Sequence, residues 1–457
     1  GVSEGAVTVS ASSGNANGTA AVTVLRPDVI IETDQELSGE VRAVRFSIAQ
    51  GVTVTATDDL ALEASGLIEI AGTLTGDCVE LSLLGDTAVT VTGTVNNGCE
   101  AGGEGPPLYL AANGELTLDN ATLVTSGEVE ITNDPTLTTE DFPATGPVQA
   151  SQYPSRADAG EPYTLVDATT IRFRGGETGP DPAESGVDGV TGTRGADGGS
   201  LKMWLRGDAD FTGNALFWAQ DGGRGGAGIA SADSDVTATS GAGGDGGTIE
   251  LFVTGFITFS GGENIMRSGS GGDAGDATAT ALPNQAGDKA PGATATTGDG
   301  GMPGLVDIRA GREVNIDDAG ALVVEIGFPG GAGTATANGA DGRDAQDATT
   351  PAQEGGDATA TGGNGGGTPD EQLLRRGQVT GEEPVFRGLD DGRPNGGGGG
   401  RARASAGNGG AGTQSNKAGG RGGLSTANGG DGGDALLKDH RNRLLGHGGP
   451  GGQARFL

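Results

Sequence analysis

Short runs in which apolar and small polar residues alternate recur along the chain, bounded by Gly, Asn and Asp. A period of two puts one face of a strand on a core and the other on solvent. Residues 6–9 and 19–25 alternate in this way around the turn-like stretch 12–18. They predict a two-stranded hairpin with Val7, Val9, Val22 and Val24 at apolar positions. From 28 to 132 strand signal follows strand signal, with no apolar spacing of helical period. A shift of 21 residues lays 66–78 (GLIEIAGTLTGDC) over 87–99 (TAVTVTGTVNNGC), and 114–123 (GELTLDNATL) is a looser third copy. Internal repeats of this length, made of short strands and turns, indicate a solenoid. Stacked coils repeat at about 4.8 Å, the spacing of paired strands. The two cysteines, Cys78 and Cys99, fall at equivalent repeat positions, so stacking makes them neighbours and predicts a disulfide.

After a Pro-interrupted stretch the pattern lengthens. Asp197-Gly198-Gly199, Asp245-Gly246-Gly247, Asp299-Gly300-Gly301 and Asn364-Gly365-Gly366 open successive units, 48, 54 and 65 residues apart, and the first three lead into apolar strand pairs. The strand pair is constant and the glycine-rich insertion varies, which predicts insertions leaving one face of a solenoid. VTAT at 236–239, ATAT at 277–280, 293–296 and 358–361, and TAT at 334–336 recur inside the insertions, flanked by Gly-Gly clusters. Glycine permits close backbone approach with threefold extended geometry, so the insertions are expected to pack together as extended strands or polyproline-II-like helices.

The fold class that follows is all-β: a parallel β-solenoid, or β-helix, with long glycine-rich insertions. Five regions are expected: a strand pair at 1–27 acting as donor or cap, solenoid coils at 28–134, and a Pro/Gly-interrupted connector at 135–196. A glycine-rich long-repeat solenoid at 197–367 and a basic glycine-rich region at 368–457 complete the chain. The pattern of strand, Gly-rich segment and strand over 28–367 resembles glycine-rich bacterial cell-surface β-helix proteins, which implies a secreted, non-enzymatic scaffold or adhesin. The phrase GAVTVSASSGNANGTAAVTVLRP resembles the closing strands of a bacterial immunoglobulin-like domain.

Composition sharpens this picture. The chain has 457 residues, 94 of them Gly, with 4% aromatics and a net charge of −34. Small apolar side chains bury little area each, which suits thin stacked layers rather than one thick core. The acidity argues against nucleic acid as a partner, and no apolar run is long enough to span a membrane. It fits a saline or calcium-containing exterior and, equally, a GC-rich genome. The cysteine pair implies an oxidising compartment, hence an extracellular or cell-surface location.

Candidate chemistry is sparse. His440 and His447 are the only histidines, and no CxxC, HExxH or GxSxG pattern occurs. The sequence GGDGGDALL at 429–437 fits the calcium-binding nonapeptide of parallel β-rolls, with Asp434 at the ligand position and Asp431 beside it. Calcium is therefore the one cofactor to consider. Asp307, Arg309, Arg312 and Glu313 are the nearest approach to a polysaccharide-active cluster, but the strand pattern reveals neither aromatic platforms nor charges grouped on stacked coils. No enzymatic activity is expected.

Charge is polarised: residues 1–150 carry 22 acids against three bases, a net of −19, while 401–457 carry eight bases against three acids, a net of +5. Arg441 and Arg443 belong to the basic end. Opposite ends attract when copies stack, and a donated strand adds backbone hydrogen bonds. The chain thus reads as a structural protein that polymerises head to tail with itself. The alternative is an adhesin that binds carbohydrate or ice through Thr-Ala-Thr arrays, with Thr278, Thr280, Thr294 and Thr296 in the ranks.

Overall fold

The computed structural model describes residues 5–13, 16–24, 26–99, 105–137, 162–173, 189–284, 286–346, 350–367, 374–381, 384–387, 397–411, 420–432 and 454–456. Among these there is no helix, and every strand pairing is parallel except one. The exception is the hairpin of Gly5–Ser13 with Ala16–Val24, in which Val7 faces Val22 across the antiparallel ladder.

Leu67–Ile70, Thr73–Gly76 and Leu81–Gly85 make the three sides of one coil, and Ala88–Val91, Thr94–Asn96 and Leu108–Ala112 repeat the circuit. Each strand pairs with its equivalent one coil on: Ile68 with Val89, Leu74 with Val95, Leu83 with Leu110. The alternating residues turn inward and stack. Ile48, Ile70, Val91, Leu118, Val166, Phe211, Phe259 and Ile316 form one buried file through the solenoid. Phe211 and Phe259 stack within it at 5.1 Å between ring centroids. Each such side chain contributes roughly 1.5–3 kcal/mol by burial, so the core is a column of equal layers.

Cys78 and Cys99 are joined by a disulfide, their Cα atoms 4.5 Å apart, at the corner between the second and third sides. The side chain of buried Asn97 stitches the same corner, donating to the carbonyls of Pro106 (3.0 Å) and Pro107 (3.1 Å). A bridge across a loop of this length contributes about 3 kcal/mol in the loop-entropy account.

The solenoid does not pause at 135–196. Tyr163–Asp167 and Thr170–Phe173, inside that stretch, pair with Glu115–Asp119 and Thr122–Thr125 and carry the stack onward. Nor does it end at 367, because Leu374–Gly381 and Val385–Arg387 add the next strands.

From Thr170–Phe173 onward, each coil opens between its second and third sides. The chain leaves as a glycine-rich arm, makes short strands at the far end and returns as a second arm. The far strands build two five-stranded parallel sheets. One holds Gly189–Thr191, Val236–Thr239, Ala293–Thr296, Ala358–Thr361 and Ser425–Asn428. The other holds Gly228–Ala232, Ala277–Ala281, Thr334–Asn338, Arg401–Ser405 and Ala454–Phe456. Alanines from both, among them Ala238, Ala295, Ala279 and Ala337, form a second buried core separate from that of the coils. The Thr-Ala-Thr phrases are thus strands with Ala inside and Thr outside.

The arms have a hydrogen-bond period of three. Gly222, Gly225 and Gly228 donate to Ser270, Asp273 and Asp276 of the next outgoing arm, while Gly223 and Gly226 donate to Ala196 and Thr193 of a returning one. Three residues per turn with all bonds between chains is polyproline-II-like packing. A methyl group at Gly243 would overlap the carbonyl of Gly272, so the close approach excludes any side chain there. The third opening also aligns differently from its sequence pattern. Ile249 pairs with Val306, 57 residues on, so Asp245 lies under Met302, and Asp299 sits one triplet farther out.

One buried residue breaks the apolar rule. Asn264 points into the coil interior with 0% exposure, and neither its Oδ1 nor its Nδ2 meets a protein partner. Replacing it by Leu removes two unsatisfied polar atoms, each worth about 1–3 kcal/mol. Asn264→Leu is expected to raise the unfolding free energy and with it the denaturant midpoint, whereas Cys78→Ser lowers the unfolding free energy by about 3 kcal/mol. Urea unfolding followed by circular dichroism checks both, and a destabilised Asn264→Leu would contradict the assignment of an uncompensated amide.

Candidate functional site

Among side-chain contacts between layers, the recurring ones are aspartates that accept a backbone N–H. Asp34 accepts the N–H of Thr53, Asp197 that of Asp245, Asp221 that of Ser270, Asp273 that of Gly331, Asp299 that of Asn364 and Asp357 that of Leu424, all at 2.6–2.8 Å. In each case the carboxylate stands one layer below the amide it receives. Charge-assisted bonds of this kind are the stronger class. The short Asp side chain reaches the next rung 4.8 Å away, which supplies a structural reason for the acidity that composition alone did not reveal.

Asp431 belongs to this ladder. Its N–H donates to Asn364 Oδ1 at 3.0 Å and its carbonyl accepts from Gly365. Asp434, Arg441 and Arg443 lie outside the described residues. Among the described residues no group of three or more His, Cys, Asp or Glu is close enough to hold a metal ion. Val7, Val9, Val22 and Val24 lie in the hairpin strands, which among the described residues pair with each other alone.

The four threonines expected to share a rank are divided between the two outer sheets. Thr294 and Thr296 stand in the first, Thr278 and Thr280 in the second. The first sheet carries the fuller ranks: Thr237, Thr294, Thr359 and Thr426 in one file, Thr239, Thr296 and Thr361 in the next. The second is interrupted by Ile229, Asn338 and Arg403.

Asp307 and Arg309 form a mostly buried ion pair, and the Arg309 guanidinium lies 4.2 Å from the centroid of the Phe252 ring. They belong to a larger array that the sequence reading missed. On the outward positions of the third side, Tyr109, Glu130, Lys202, Glu250 and Asp307 stand in one file. Thr132, Trp204, Phe252 and Arg309 stand in the neighbouring one. Charges and aromatics are therefore grouped on stacked coils. Phe252 and Trp204 stack at 5.8 Å, and Leu137 packs over them.

Beside this array, where the third side meets the base of the glycine arms, lies a cleft of about 520 Å³. Tyr109, Glu128, Lys202, Glu250, Asp197 and Thr248 contribute side chains, and the glycines at 105, 127, 198 and 199 leave backbone exposed to it. Lys202 pairs with Glu128, and Arg194 bridges Asp197 (2.7 Å) and Asp245 (3.2 Å). Trp204 Nε1 donates to Glu250 at 3.3 Å.

Burial pushes the Glu250 carboxyl above its ordinary value of 4.5, against the pull of the Trp204 N–H and Lys202. Burial and the carboxylates of Glu80 and Glu130 raise the Tyr109 phenol, which stays protonated and can donate. Burial alone would lower Lys202, but its bond to Glu128 raises it. At the far sheets, Lys289 and then the Leu424 N–H hold the Asp357 carboxyl below 3.8.

No family model matches the chain, and no curated protein or solved structure is found to resemble it.

The two shifted carboxyls act on stability with opposite sign. Folded Asp357 releases its proton more readily than the unfolded chain does. Its contribution is present above the ordinary aspartate value and is lost as pH falls through the folded pKa. Folded Glu250 holds its proton longer, so its ionisation opposes folding as pH rises through its raised pKa. Glu250→Gln should therefore stabilise the protein at pH 7, with the gain disappearing below about pH 4.5. Asp357→Asn should destabilise at pH 7 and converge with the parent in acid. Thermal midpoints across pH check both, and a Glu250→Gln effect independent of pH would refute the titration account.

Proposed function

We propose that the chain is a structural protein of an extracellular surface, built to add copies of itself end to end. The observation that carries this reading is the state of the terminal strands among the described residues. Arg26–Ile31 pairs only with residues 43–48, leaving its other edge without a strand, and Ile30 is 54% exposed. At the opposite end Val385–Arg387, Ser425–Asn428 and Ala454–Phe456 are each paired on one side alone. An unpaired edge is a template for another strand, and parallel sheets of equal pitch at both ends accept one another without change of register. The acidic first region and basic last region favour head-to-tail over head-to-head contact. A heterologous contact that does not close produces a filament. The hairpin, which pairs with no other strand among the described residues, is available for donation to a neighbour.

Negative-stain images of the purified chain should show filaments at low salt that shorten at high salt, where end charges are screened. Deletion of residues 1–27 should abolish them. Identical fibres from the deleted chain, or a monomer at high concentration, would sink strand donation.

A second reading, an adhesive surface, is favoured by the threonine files of the first outer sheet. Neighbouring strands repeat at about 4.8 Å and alternate residues at about 6.6 Å, giving a regular lattice of hydroxyls and methyls. The file of Thr237, Thr294 and Thr359 borders a depression of about 340 Å³ edged by the Lys289–Asp357 pair. Such a lattice suits an ordered surface, ice or a crystalline glycan. Retention on either, abolished by Thr294→Lys with Thr296→Lys, is the expected result. Equal retention of the double variant would exclude the files.

A further inference from the structure

We infer that the cleft between the third side of the coils and the base of the glycine arms binds a neutral oligosaccharide. Its volume of about 520 Å³ falls within the roughly 300–1,000 Å³ of small-molecule sites. The lining excludes other classes. An apolar ligand needs apolar walls, but here the only apolar side chains are the ring of Pro107 and the aromatic face of Tyr109, among hydroxyls, carboxyls, an ammonium and bare glycine backbone.

A metal ion or polyamine needs carboxylates with charge to spare. Each carboxylate facing this cleft is already engaged: Glu128 by Lys202, Asp197 by Arg194, and Glu250 by the Trp204 indole N–H. An anionic ligand would meet those same carboxylates with only Lys202 to offset them. What remains is a neutral molecule rich in hydroxyls. Such a ligand donates to Glu250 and Glu128, accepts from Lys202 and the Tyr109 phenol, and lays a ring face on Tyr109. Glycine backbone at 198 and 199 lets a sugar ring approach the floor closely.

The position is suited to a chain molecule rather than a single sugar. The file that supplies Tyr109, Lys202 and Glu250 holds Glu130 between the first two and continues along the coil axis to Asp307. This site is separate from the threonine files and does not depend on self-assembly.

The chain has two tryptophans, and Trp218, exposed on the second side, can be removed as Trp218→Phe. Trp204, bonded to Glu250, then reports the cleft alone. In that background, neutral tetrasaccharides of glucose, xylose, mannose and galactose are titrated by fluorescence and calorimetry, with calcium chloride and a tetragalacturonate as contrasting probes. Saturable binding of at least one neutral tetrasaccharide is expected, weakened at least tenfold by Tyr109→Ala. Glu250→Ala should weaken it more than Glu250→Gln, which keeps a hydrogen-bonding group. Circular dichroism confirms that the variants fold, since both side chains lie on the outward face of the coil. Silence with all four neutral sugars, binding indifferent to Tyr109→Ala, or preference for calcium or the uronate would each overturn the proposal.

Discussion

The layers described answer to one requirement: each backbone N–H must find an acceptor in a neighbouring layer. Buried amides without partners cost about 1–3 kcal/mol each, so a structure made of stacked layers stands or falls on that ladder. Along the coil sides the carbonyl of the neighbouring strand is the acceptor, and bulky side chains such as Ile70 and Phe211 fill the interior. In the arms two amides of each triplet still reach carbonyls, but only because glycine lets the chains approach from several sides. The third amide has no carbonyl in line, and an Asp, Asn, Ser or Thr side chain one layer below takes its place.

That division explains the composition. Glycine supplies contact and aspartate supplies acceptors, so a chain with few large apolar residues still closes a hydrogen-bonded lattice. The hydrophobic term is concentrated in two narrow columns. One is the coil interior, and the other is the alanine core of the far sheets, where a methyl group is all that the spacing needs. The remaining acidity is not simply a solvated coat, since Asp rather than Glu is the residue whose reach matches one rung.

Much of this was legible before any coordinates. The 21-residue copy placed Ile68 over Val89 and Leu74 over Val95, and the pairing follows that register. The long units were harder for a physical reason. A polyproline-II-like arm repeats every three residues, so Asp-Gly-Gly looks the same at any triplet, and Asp299 was matched to Asp245 although Met302 is the true neighbour. Tyr163–Asp167 and Thr170–Phe173 were hidden by the proline-bearing segments on either side of them. The split of the threonines between two sheets was invisible because the insertion that carries Thr278 and Thr294 sends one strand to each sheet, and the local sequence carries no label of the sheet it joins.

The third-side array was missed for a different reason, and that reason bears on how such a fold acquires function. Tyr109, Lys202 and Glu250 are separated by 93 and 48 residues in the chain, and only the coil pairing puts them in one file. No local motif forms, because each coil supplies a single outward residue to the file. On a solenoid the inward positions are held to apolar residues by the core, whereas the outward positions of the same strands are free to vary without cost to the ladder. Chemistry on this scaffold is therefore written across coils, one residue per layer, and is read along the axis instead of along the sequence. The opening between second and third sides adds depth to an otherwise flat face, since the base of the glycine arms stands beside the file and walls one flank of the cleft. The insertions thus do more than lengthen the solenoid: at their base they turn part of an otherwise flat side into a cleft of about 520 Å³.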